Sequence, residues 1–303
     1  AVTMTVSSGG TTLGTTTINA VNGVATFSNA GISGTAGNQY TLTFASTGLA
    51  SATQTITPSY GTATQLALTT QAVGSSSGSA FNTQPVIIIR DAFGNTVANS
   101  TAAVTMTVSS GGTTVGTATV NAVNGIATFT NVGISGTAGT QYSLTFASSG
   151  LASATQTITP TFGTANQLAL TTQAAGSSSG AAFNTQPVII IQDAFGNTVT
   201  NSSASVTMTV SSNGTTVGTT TVNAVNGIAT FTNVGIRGTA GTQYTLTFAS
   251  TGLTSATQNI TPSYGTATQL AFTTQAAGSA SGTAFTTQPV ITIRDAFGNT
   301  VAN

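Results

Sequence analysis

The sequence predicts an all-β chain of tandem seven-stranded β-sandwiches with a period of 102 residues, and three observations carry that reading. The run Gln84-Pro85-Val86-Ile87-Ile88-Ile89-Arg90-Asp91-Ala92-Phe93-Gly94-Asn95-Thr96-Val97 returns from Gln186 to Val199 and from Gln288 to Val301. A fixed spacing of this length means one folding unit used repeatedly. Between the copies, apolar and polar residues alternate over short runs, the pattern of strands with one buried face. Turn residues, mostly Gly, Asn and Pro, separate these runs, and none shows apolar residues at helical spacing.

The repeat sets the boundaries. Thr157-Ile158-Thr159-Pro160-Thr161-Phe162-Gly163 closes one alternating run, and Ala165-Asn166-Gln167-Leu168-Ala169-Leu170 opens the next; matching breaks follow Gly61 and Gly265. Complete units are expected at 62–163 and 164–265. Partial units are expected at 1–61, which begins with the third strand, and at 266–303, which carries the first two.

Within the unit from Thr62, Leu66 and Leu68 lie on a first strand and Pro85 to Asp91 form the second. Val104, Met106 and Val108 alternate with threonines on a third. Thr117 to Asn121 is a fourth, joined through Asn124-Gly125, a dipeptide suited to a tight hairpin turn, to a fifth at Ile126 to Phe129. Tyr142, Leu144 and Phe146 mark a sixth strand, and Ala154, Gln156 and Ile158 a seventh.

On the second strand the copies of position 88 are Ile88, Ile190 and Thr292, and those of position 90 are Arg90, Gln192 and Arg294. Residues 86, 88 and 90 share a face by alternation, so that face tolerates polar side chains and should look outward. Ile87 and Ile89 then face the core. Val86 and Ile88, with Val188 and Ile190, become candidate contacts with another unit or chain unless nearby loops cover them.

Charge is nearly absent: Arg90, Arg237 and Arg294 balance Asp91, Asp193 and Asp295, and the chain has no His, Cys or Trp. Nucleic-acid binding needs several cationic contacts to phosphate, and anionic lipid needs a basic cluster, so neither partner is expected. No apolar run reaches the roughly 18 residues of a membrane span, and membrane insertion of this segment is not expected. Thr and Ser supply 101 of the 303 residues, a polar but uncharged surface typical of secreted repeat proteins. The β-branched content argues for folded β rather than disorder.

Candidate chemistry is sparse. Asp91, Asp193 and Asp295 recur at the end of the second strand, where a carboxylate can accept hydrogen bonds from its own turn. One carboxylate per unit is too few for a calcium site of six to eight oxygens. Without His, Glu, Lys or Cys there is no evident proton shuttle or activated nucleophile, so neither an enzyme nor a cofactor is expected. Lysine-based isopeptide links are excluded, and Thr–Gln ester links have no His to assist them. Asn99, Asn201, Asn213 and Asn259 fit the N-glycosylation pattern, which arises readily by chance in a Thr-rich chain. Thr-x-Thr spacings such as Thr105 with Thr107 match flat threonine arrays of ice-binding surfaces and, equally, the solvent face of any strand.

The order of Val86 to Val97, then Ala103-Val104-Thr105-Met106-Thr107-Val108, then Asn124-Gly125-Ile126-Ala127-Thr128-Phe129 resembles the bacterial immunoglobulin-like repeats of invasin and intimin type adhesins. That resemblance covers every unit. It implies seven-stranded immunoglobulin-like sandwiches in tandem on large secreted or surface-anchored proteins, where most repeats act as rigid spacers. Such repeats usually carry ordinary surface charge, and this chain departs from them there.

The expected role is therefore structural: a segment of an extracellular filament or cell-surface stalk, assembled head to tail. The alternative is an adhesin or binding module for a glycan, ice or a host protein, which is usually built on one distinctive unit. By the repeat alignment Asn303 corresponds to Asn201 and Ala1 to Ser205. The strands of 266–303 would then complement those of 1–61, with Leu270, Phe272, Ile291 and Ile293 as candidate contacts in a continuous array or between chains.

Overall fold

The computed structural model describes residues 1–302. It divides into two compact bodies, Ala1–Thr161 and Phe162–Asn303. Each contains one closed hydrophobic core. Every regular element is an antiparallel β-strand, and no helix is present among the described residues, so none is long and apolar enough to cross a membrane. The architecture is that of tandem immunoglobulin-like β-sandwiches.

In the first body the closed repeat runs through ten strands: β1 (Ala63–Thr70), β2 (Ser79–Ala80), β3 (Val86–Asp91), β4 (Ala103–Val108) and β5 (Thr113–Val115), then β6 (Thr119–Asn121), β7 (Ile126–Thr128), β8 (Gly133–Ser135), β9 (Tyr142–Ala147) and β10 (Ala154–Ile158). The order β7-β3-β1 makes one sheet and β6-β4-β9-β10 the facing one, with β5-β8-β2 as a small third sheet. The seven expected strands are all present. The three additional ones have two or three residues each, too short for alternation to register. The expected fourth strand from Thr117 is shorter, starting at Thr119.

Alternation decides the faces. Along β3, Ile87, Ile89 and Asp91 point inward and are buried, while Val86, Ile88 and Arg90 are half-buried. On the other sheet Val104 and Met106 of β4 meet Tyr142, Leu144 and Phe146 of β9 in the same core. Phe129 and Phe146 pack edge to face across it, centroids 5.7 Å apart at 61°, an arrangement that adds to the area they bury. β1 pairs with β3 through two bulges. It also meets the approach to β10 in parallel, Leu66 N–H donating to Ala152 O at 2.9 Å.

Asn124-Gly125 is a two-residue turn with both φ positive, 52° and 76°. Val123 and Ile126 exchange backbone bonds of 2.9 and 3.0 Å across it. It is not, however, a hairpin within one sheet: β6 joins β4 while β7 joins β3, so the turn carries the chain from one sheet to the other. Half-buried amides tie the irregular segments down. Gln84 Nε2 donates to Phe81 O and Val132 O while its Oε1 accepts from Val132 N–H, and Gln156 pairs with both backbone groups of Ala72.

The second body repeats this arrangement, with Ile189, Ile191, Val206, Met208, Leu246 and Phe248 in its core. Residues 1–61 form the four-stranded sheet of a sandwich and a strand pair beside it. The counterpart of β7 is not a strand there, because the segment 24–26 has no β3-like partner to bond. Residues 267–274 and 290–295 form a two-stranded sheet.

Candidate functional site

In a chain so poor in charge, the recurring carboxylate marks the place to look. Asp91 is the last residue of β3, and its alternation with Ile87 and Ile89 drives the side chain inward, where it is 1% exposed. Four N–H groups meet it. Phe93 and Asn95 N–H donate to Oδ1 at 2.9 and 2.8 Å, whereas Gly61 N–H and the Asn95 side-chain Nδ2 donate to Oδ2 at 2.8 and 3.1 Å. Gly94, at φ 85°, supplies the left-handed residue that folds the turn back. Three of the bonds come from the carboxylate's own turn, as the sequence predicts. The one from Gly61 ties down the linker ahead of β1.

Burial pushes the Asp91 pKa up, but the donors from Gly61, Asn95 and Phe93 outweigh it and hold the carboxyl below its ordinary value of 3.8. Asp193 is arranged alike, with Gly163, Phe195 and Asn197 as donors at 2.8 to 2.9 Å, and is likewise lowered against its burial. Asp295 has the same set from Gly265, Phe297 and Asn299. Its pKa falls to about 2, again against desolvation.

The residue that sequence reasoning missed is Asn95. Besides bonding Asp91, its side chain reaches the preceding repeat: Ala36 N–H donates to Asn95 Oδ1 at 2.9 Å, and Asn95 Nδ2 donates to Gly34 O at 3.3 Å. In the second body Asn299 does the same with Ala240 N–H (2.9 Å) and Gly238 O (3.3 Å). The Asp fixes the Asn, and the Asn clasps the neighbouring repeat. The receiving loop is itself held, since Tyr40 OH accepts from Thr35 N–H and Tyr244 OH from Thr239 N–H, each at 2.8 Å. Gly34 and Gly238 are needed there: a Cβ would come within 2.6 and 2.5 Å of the tyrosine ring. The signal was available, because Asn95 and Gly34 recur in register in the other copies.

The other expected positions fall in three groups. Val86, Ile88, Val188 and Ile190 are half-buried rather than an open apolar pair, because Ile88 is flanked in its sheet by Ala67 and Ile126 and Ile190 by Ala169 and Ile228. Leu270, Phe272, Ile291 and Ile293 are exposed on their two-stranded sheet, whereas the matching Leu66, Ile87 and Ile89 are core. Asn99, Asn201, Asn213 and Asn259 are all exposed, Asn259 within a paired strand where it accepts from Thr245 Oγ1. Threonines of the outer β4 face bond one another, as Thr105 with Thr119 at 2.9 Å. Among the described residues no three His, Cys, Asp or Glu side chains come together.

No family model and no curated protein matches the chain. Among solved structures it is similar to FdeC, an Escherichia coli adhesin, at 14% identity and a TM-score of 0.35, covering 86% of this chain and 85% of that one. It is also similar to a β-glycosidase from Bacteroides vulgatus (13%, TM-score 0.30, 66% of this chain and 25% of that) and to a Parabacteroides merdae β-glucuronidase (11%, 0.26, 65% and 25%). The chain spans about a quarter of the length of these two enzymes. Likenesses at such scores carry no argument about what this chain does.

Proposed function

We propose that this chain is a structural segment of an extracellular filament or cell-surface stalk in which immunoglobulin-like repeats follow one another head to tail, without catalysis. The observation that carries the reading is the Asp–Asn clasp, built from the most regularly repeated motif of the sequence and spent on joining one repeat to the next. Neighbours joined through part-buried hydrogen bonds, from an amide that a buried carboxylate holds in place, resist bending better than domains on free linkers. Self-association of such segments is favoured by a net charge of zero, which leaves no repulsion between copies.

Small-angle scattering of the chain and of its Asn95→Ala, Asn299→Ala double variant tests this. Loss of the clasp should broaden the distance distribution while the fold, followed by circular dichroism, is kept. An unchanged distribution would refute the spacer reading.

A further inference from the structure

The closed repeats are near copies, yet two of their differences line one cavity. Where the earlier repeats carry Gly9 and Gly111 in the left-handed region, the later one carries Asn213 at φ 70°. Asparagine is among the few side-chain-bearing residues that tolerate this conformation. Where they carry Ser33 and Ser135, it carries Arg237. Asn213 and Arg237 line a cavity of about 360 Å³ together with Thr215, Thr239, Phe297 and Asn299. Phe297 also borders a second cavity of about 570 Å³, beside Tyr264.

Arg237 is exposed, and its guanidinium carbon lies 4.6 Å from the centroid of Phe297. Phe297 in turn rests on the bare backbone of Gly180, where any Cβ would overlap the ring. Asp295, the carboxylate of the same turn, is buried and already satisfied by four N–H donors. The turn that carries Phe297 therefore offers Arg237 no carboxylate that is not already engaged. A guanidinium stacked on an aromatic ring keeps its planar N–H fork free for a carboxylate. Around it stand amide and hydroxyl side chains that match a polyol, and Phe297 and Tyr264 remain 39% and 38% exposed as apolar faces.

The geometry points to a binding site for an acidic saccharide at this junction, with Arg237 taking the carboxylate of a uronate and Asn213 and the threonines its hydroxyls. One cation suits one carboxylate per sugar; a doubly charged phosphate would call for more. The site goes beyond a spacer role and belongs to one repeat only, since Phe93 has Ser33 and Gly9 in the corresponding places.

The test is titration of the full chain with oligogalacturonate, followed by NMR shifts. Saturable binding in the millimolar range is expected, weakened by salt, with a neutral glucose oligomer of equal length binding at least about tenfold more weakly. Arg237→Ser and Asn213→Gly restore residues that the other repeats already accommodate. The first should cost about tenfold in affinity and the second a smaller factor. Absence of saturable shifts, unchanged affinity in Arg237→Ser, or tighter binding of a glutamate peptide would each overturn the proposal.

Discussion

Replacing Ile87 with threonine tests the packing at its centre. Ile87 is fully buried on β3, with Leu68 and Ala127 beside it in the sheet register. The change removes the equivalent of two carbon groups, about 1.6 kcal/mol at ~0.8 kcal/mol per buried CH₂. It also buries a hydroxyl, at a cost of about 1–3 kcal/mol. The repeat at 62–163 should therefore lose roughly 3–4.5 kcal/mol, a fall of more than about 10 °C in its midpoint. Ile88→Thr should cost less than about 1 kcal/mol, because Ile88 is only half-buried. The third copy already has Thr292 there, its hydroxyl donating to Ala271 O at 3.3 Å. Calorimetry of the full chain reads both variants, with the unaltered repeat at 164–265 as internal reference. Large and equal losses at the two positions would mean that the strand faces are wrongly assigned.

The remaining predictions concern the junction and the turn. The three aspartates have folded pKa values below their ordinary 3.8. Their stabilisation is therefore present above that value and lost as pH falls through the folded one, for Asp295 between 3.8 and about 2. Unfolding midpoints measured down this window should drop, and a midpoint that rises on acidification would contradict the hydrogen bonding described. Gly125→Ala should destabilise more than Gly139→Ala. Both glycines have positive φ, but a Cβ at Gly125 would meet Val97 O at 2.5 Å while at Gly139 it meets nothing. Denaturant unfolding that ranks the two the other way would refute the packing of the turn.

How much of this was legible in the sequence depended on length and on register. Ile87 and Ile89 could be placed inward because a six-residue strand alternates long enough to declare its faces. The two-residue Ser79–Ala80 and three-residue Gly133–Ser135 cannot, because each holds a single apolar residue, Ala80 or Ile134, and one residue shows no alternation. Asn124-Gly125 was recognisable as a tight turn, but which sheet each flanking strand joins is decided by partners far along the chain. Asn95 was hidden by its own motif: next to Gly94 it reads as a turn residue, and its second role needs the loop of the preceding repeat. Asn213 and Arg237 were visible as departures between copies. Their meeting around one cavity beside Phe297 was not, since it depends on how one repeat meets the next.

The pairings of the two closed repeats coincide residue for residue: Ile87 with Leu68 and Ala127 in one, Ile189 with Leu170 and Ala229 in the other. A strand that left its own sandwich would find an almost identical slot next door, filled by the same side chains in the same register. Native and exchanged products would then differ chiefly in connectivity, so energy alone discriminates poorly between them. Order of synthesis can discriminate. At about 5–20 residues per second, an emerging repeat has seconds to close before its twin is complete. Refolding from denaturant removes that advantage, and strand-exchanged species should accumulate there rather than during synthesis.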